Sequence, residues 1–147
     1  MRNVSVFNEN GINVDKRSVH KLVKLISDDL AVKINSLEFN FVSQDTIVLI
    51  NKEYLRHNYR TDIITFDYSA EKNKLDGEIF ISLRDALENS KKYRVSVDNE
   101  LLRLIIHGIL HLIGFDDVTA DKRKRMKVVE DRMVDKFNKY SKGLVVK

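Results

Sequence analysis

Between Leu101 and Ile113, nine of thirteen residues are Leu or Ile, and the exceptions are Arg103, His107, Gly108 and His111. The run is shorter than the ~18 apolar residues that cross a bilayer. A helix this apolar has to be wrapped by protein on most sides. It therefore predicts a buried helix on which the other elements pack, capped by Ser96 and stopped at Gly114. With 147 residues, 43% of them hydrophobic, the chain has enough material for one such core and needs no staple.

Around that helix, caps and changes of period mark the other elements, since there is no proline to punctuate them. Asn3–Phe7 reads as a short strand. Asp15 then caps a helix whose apolar positions are Val19, Leu22, Val23, Ile26 and Leu30. Leu37, Phe39 and Phe41 alternate with Glu38 and Asn40 as a half-buried strand. Ser43 caps a second helix to about Leu55, with Ile47, Ile50 and Tyr54 facing in. Strands over Ile63–Tyr68 and Gly77–Ile81 follow, separated by the polar stretch 69–76. Ser82 with Asp85 opens a helix to about Tyr93. Thr119 begins the last helix, with Met126, Val129, Met133 and Phe137 as its inner stripe. The expected order is β-α-β-α-β-β-α-α-α, an α+β single domain with a small mixed β-sheet packed by helices. Residues 1–140 form that domain, and residues 141–147 are expected as a flexible tail.

Polar residues on the buried helix are not scattered. Glu100, Arg103, His107 and His111 fall at i, i+3, i+7 and i+11, one narrow stripe. Side chains one turn apart sit about 5–6 Å from each other at Cβ, so two imidazoles there can converge on one ion. Gly108 costs roughly 1 kcal/mol against Ala in a helix interior, which calls for a close approach by another backbone or a ligand. Gly114 can turn the chain back, bringing Asp117 to the histidine face as His-x3-His-x5-Asp. Two imidazoles and one carboxylate leave a fourth position open, the pattern of a catalytic zinc site. The alternatives at this level are a polar helix edge without metal, Asp116 in place of Asp117, and an Fe(II) site with the same donor set.

The chain has no cysteine, which excludes a disulfide framework, a Cys-based zinc finger and a Cys nucleophile. Its opening residues lack the apolar core of a secretory signal, so a cytoplasmic protein is expected. With 26 Lys and Arg against 22 Asp and Glu, the net charge of +4 leans mildly towards an anionic partner. Lys122, Arg123, Lys124, Arg125 and Lys127 crowd the start of the last helix, diluted by Asp121, Glu130 and Asp131. They fit a phosphate-contacting face or a solvated one; Lys16, Arg17, Lys21 and Lys24 are expected to face solvent. His20 and His57 are expected to be structural or surface residues, and Asp62 or Glu78 could brace a ligand histidine.

His107-Gly-Ile-Leu-His111-Leu-Ile-Gly-Phe-Asp-Asp117 resembles the HGxLHLxGYDH signature of the YbeY family of bacterial endoribonucleases. Asn51-Lys-Glu-Tyr54, Thr61-Asp-Ile-Ile-Thr-Phe66 and Asp76-Gly-Glu-Ile79 resemble that family's upstream elements in order, and Met126 matches a Met of the last helix. The resemblance covers about residues 36–137. It implies a domain with a zincin-like metal helix in its C-terminal half and one Zn2+ per chain on His107, His111 and Asp117. It further implies a zinc-dependent, single-strand-specific endoribonuclease acting in 16S rRNA 3′-end maturation and ribosome quality control. The implied partners are rRNA precursor and the small ribosomal subunit, with no DNA, no membrane and a monomeric chain.

Two departures stand out. Asp117 occupies the position where the family usually has a third His, and Leu55 follows Tyr54 where the family commonly has Arg. Neither Arg56 nor Arg60 matches that Arg by position, so no catalytic side chain is assigned. A peptidase helix of the H-E-x-x-H type places its general base beside the first His, and here that residue is Gly108. Proteolysis thus lacks its base, whereas hydrolysis of RNA by a water activated on zinc asks less of a side-chain base. A zinc hydrolase of another substrate class and a non-catalytic ribosome-associated RNA-binding factor are the competing readings.

Overall fold

The computed structural model describes residues 3–55, 61–71 and 73–146. In chain order its elements are β1 (Val4–Asn8), α1 (Lys16–Leu30), β2 (Lys33–Val42), α2 (Gln44–Tyr54), β3 (Ile63–Asp67), β4 (Lys74–Ser82), α3 (Leu83–Tyr93), α4 (Val97–Leu112) and α5 (Ala120–Phe137), with a final 3-10 turn at Asn138–Tyr140. This is the expected order and the expected α+β class. Each expected cap is in place: the side chains of Asp15, Ser43, Ser82, Ser96 and Thr119 each accept a hydrogen bond from a backbone N–H three residues on.

The four strands lie in the order β1-β2-β4-β3. β1, β2 and β4 run parallel, and β3 returns antiparallel along β4. Register puts Val6, Phe39 and Ile79 side by side on one face, and Ser5, Glu38 and Glu78 on the other. The apolar face, with Leu37, Phe41, Leu75 and Ile81, is covered by α1 and α4 in one continuous core that also takes in Met126, Met133 and Phe137 of α5. α2 covers one end of the opposite face through Ile47, against Val42 and Ile64. The metal-helix candidate α4 is thus pressed between sheet and helices, as its composition requires.

Three expectations change. β2 and β4 are longer than their alternating cores, because Lys74–Asp76 is strand rather than loop: it pairs with the first half of β2 across an irregularity between Ile34 and Ser36, and Leu75 is buried there. Tyr54 does not face in; it is 70% exposed and meets Phe66 edge-on, because Asn51 takes the buried position one turn beyond Ile47. Where a loose tail was expected from Ser141, the structure places a clasp. Leu144 is fully buried in the main core, and Val145 bridges Val14. Asp15 N–H donates to the Leu144 carbonyl and Val146 N–H to that of Asn13, while Asp98 of α4 accepts from Gly143 and Val145 N–H. Those bonds satisfy the polar backbone that a buried terminal segment would otherwise leave unpaired.

Candidate metal centre

α4 supplies two of the three clustered donors, and its ending supplies the geometry of the third. The helix closes with Phe115 N–H on the Leu110 carbonyl and Gly114 N–H on the His111 carbonyl, the paired bonds of a Schellman turn. Gly114 carries the required positive φ of +108°. The same turn aims the Phe115 carbonyl at His111, whose Nδ1 lies 3.0 Å away. A carbonyl only accepts, so Nδ1 of His111 holds the proton and Nε2 carries the lone pair.

His107 is fixed from the other side. Its Nδ1 lies 2.5 Å from Oε1 of Glu130 on α5. The Glu130 carboxyl is buried, which alone would raise its pKa, but the His107 and Arg103 hydrogen bonds and charges hold it below the usual carboxylate range. It is therefore ionised and accepts from Nδ1–H. Burial pulls the His107 imidazole down, yet the Glu130 bond and charge outweigh it and leave it above the ordinary imidazole value. His111 is held below that value by burial and by the neighbouring His107.

Both Nε2 atoms consequently point at each other, 3.0 Å apart, with the rings nearly perpendicular. Asp117 Oδ2 lies 3.9 Å from His111 Nε2, and one donor atom from each of the three residues falls within 4.8 Å of the others. Two imidazole lone pairs and a carboxylate facing one point repel unless positive charge lies between them. A shared proton or a metal ion meets that need, and the N, N, O donor set with each imidazole braced through its far nitrogen fits a divalent metal.

Gly108 explains itself on the sheet side of the helix. A Cβ there would stand 2.9 Å from Cδ1 of Ile79 and 3.2 Å from Cδ1 of Ile63. The close approach is thus by strand side chains, and it lets α4 sit low on β3 and β4.

Asp116, the alternative third donor, is used elsewhere: it accepts from Val118 N–H and pairs with Lys122 at 3.4 Å. Asp62 lines the same cleft as His107 and accepts from Asn89, but it makes no direct hydrogen bond to either histidine. Glu78 is on the far sheet face, bonded to Tyr68. His20 sits half-buried on α1, outside the cluster, and His57, Arg56 and Arg60 lie outside the described residues. Of the basic run on α5, Arg123 holds the Asp117 carbonyl and Lys127 lines the cleft. Sequence reasoning missed Glu130, placing it among solvated acids. Its signal was there: Met126, Glu130, Met133 and Phe137 fall on one stripe, so a carboxylate in an apolar row had to be paired.

The cluster opens into a cleft of about 580 Å³ between α3, α4 and α5. Glu100, Arg103, Glu130 and Asp117 line it together with Asp62 and Lys127. Burial pushes the Glu100 carboxyl up to about 7, with the charge of Arg103 opposing and those of Asp62 and Glu130 adding.

Comparison with known proteins follows the same lines. A family profile described as Endoribonuclease YbeY matches residues 5–138. A protein named Endoribonuclease YbeY from Bacteroides fragilis is 38% identical over 120 residues, 82% of this chain and 86% of the relative. One from Parabacteroides distasonis is 39% identical over 119 residues, covering 81% and 83%. One from Chlorobaculum tepidum is 35% identical over 128 residues, covering 87% and 93%. A solution structure of a Thermotoga maritima protein shares the fold, with a TM-score of 0.68 at 23% identity over 93% of this chain and 91% of that one.

Proposed function

The chain belongs to the YbeY family, and on that premise we propose that it is a metal-dependent endoribonuclease whose ion is held by His107, His111 and Asp117. The observation that carries the reading is the pair of Nε2 lone pairs facing each other at 3.0 Å beside the Asp117 carboxylate, at the foot of an open cleft. Zinc suits two imidazoles and a carboxylate on rigid supports, one ion per chain. Bound there, it would supply a Lewis acid for a phosphoryl oxygen and a more acidic water.

The chain's own residues do the rest. Glu130 and the Phe115 carbonyl keep both imidazoles in the tautomer that presents Nε2. Arg103 holds Glu130 from behind. Gly108 leaves no carboxylate beside the first histidine, which disfavours peptide hydrolysis by the H-E-x-x-H route. The proposed substrate is single-stranded RNA, and the proposed role is 16S rRNA 3′-end maturation and ribosome quality control in the cytoplasm, on the small subunit, as a monomer. No helix of the described residues is long and apolar enough to cross a membrane.

Cleavage assays on zinc-loaded protein test this directly. Single-stranded RNA should be cut, cutting should stop on chelation and return with zinc, and peptides should stay intact. A folded His111→Ala protein that cuts RNA at the wild-type rate would overturn the assignment.

A further inference from the structure

Arg103 stands one turn before His107 on the same face of α4 and lines the same cleft as His107 and Asp117. Its guanidinium has five N–H donors, and both known bonds use a single nitrogen: Nη1 reaches Glu130 Oε2 at 2.8 Å and Asp131 Oδ1 at 2.6 Å. Among the described residues, Nη2 and Nε make no hydrogen bond. The side chain is 27% exposed, so it is braced by α5 yet open to the cleft.

The charges around it sharpen the point. The cleft is lined by the acidic side chains of Asp62, Glu100, Asp117 and Glu130. Lys127 is the other cationic lining residue; its side chain is 71% exposed at the rim and leans on Asp131 at 3.8 Å. An anionic strand entering so acidic a cleft needs fixed positive charge beside the triad, and Arg103 is the rigid cation there. A planar fork with free donors on one edge matches two phosphate oxygens, and it stays charged at any working pH.

We propose that Arg103 binds the RNA phosphate next to the metal centre through Nη2 and Nε, while Nη1 stays on α5. This rests on the RNA-cleaving reading above and names a substrate contact within it. Arg103 is then a substrate-binding residue as well as a brace for Glu130, and the two roles predict different measurements.

The test is binding of a short single-stranded 2′-O-methyl oligonucleotide to zinc-loaded protein across a salt series, with metal content and oligonucleotide integrity checked alongside. For Arg103→Gln, affinity should fall about tenfold or more at low salt, as for a lost charged hydrogen bond. The slope of log affinity against log salt should shrink by about 0.7, one phosphate contact on a single strand. Oligonucleotide binding is compared at saturating zinc with both proteins fully loaded, so that any weakening of the Glu130 brace is read apart from the phosphate contact. Should that variant not fold, Arg103→Lys carries the test: its single point charge should keep the metal but bind the oligonucleotide several-fold more weakly. Wild-type affinity and slope in either folded variant would overturn the assignment, as would loss of RNA binding explained entirely by loss of zinc. If the wild-type protein itself fails to bind, the RNA reading falls and this contact with it.

Discussion

At the scale of single residues, the centre is held by what stands behind the histidines as much as by the histidines. Glu130 fixes the proton of His107 on Nδ1, and a carboxylate in that position raises the basicity of the opposite nitrogen. Replacing Glu130 with Gln keeps the shape but removes that charge. Zinc affinity, measured by competition with a chromophoric chelator, should drop roughly 10–100-fold; an unchanged affinity would mean that Glu130 serves packing alone. Glu100 makes a second prediction. Its folded pKa of about 7 lies above the ordinary 4.5, so folding favours the protonated carboxyl. Its stabilising contribution is complete below about pH 4.5 and is lost as pH rises through 7. Glu100→Gln imitates the protonated form. In metal-free protein it should match wild type at pH 4 and exceed it by on the order of 2 kcal/mol at pH 8, read by urea unfolding. Equal gains at both pH values would point to packing instead.

At the scale of elements, α4 is legible in the sequence alone. The Leu and Ile count, the Ser96 cap, the Gly114 stop and the His stripe all follow from periodicity, and Asp117 follows from the turn that Gly114 permits. What spacing could not give were contacts between elements distant in sequence: Glu130 against His107, Arg103 across to α5, and Ile79 under Gly108. The closing segment was hidden for a related reason. Leu144-Val145-Val146 is too short a run to carry a period, and only its bonds to Asn13, Asp15 and Asp98 give it a place against the core. Two substitutions probe these joints. Gly108→Ala gains about 1 kcal/mol of helix propensity. It also sets a methyl 2.9 Å from the fully buried Ile79, and overpacking costs roughly 1–3 kcal/mol. The net expectation is a loss of about 1 kcal/mol by urea unfolding, with weaker zinc uptake as α4 lifts from the sheet; a more stable protein with normal uptake would contradict the close fit. Leu144→Ala should cost roughly 2–5 kcal/mol, as for a core leucine. A change within about 0.5 kcal/mol would restore the picture of a loose tail.

At the scale of the whole molecule, a net charge of +4 coexists with a cleft whose lining carries four acidic side chains against Arg103 and Lys127. The two fit together if the cleft is completed by a cation and the outer basic residues of α5 guide an anionic strand towards it. A metal at the triad would relieve the repulsion between the two imidazoles and offset the acids of the cleft. The fold serves this by stacking α4 on the sheet and α5 on α4, so that the braces of both histidines come from a packed helix and a closed turn. The most direct measurement is metal content per chain, on protein purified without added metal or a metal-affinity column, for wild type and His111→Ala. About one zinc per wild-type chain and close to none in the folded variant is the predicted result. A wild-type chain that takes up no zinc when it is supplied, or a variant that keeps it, would contradict the metal centre on which the account rests.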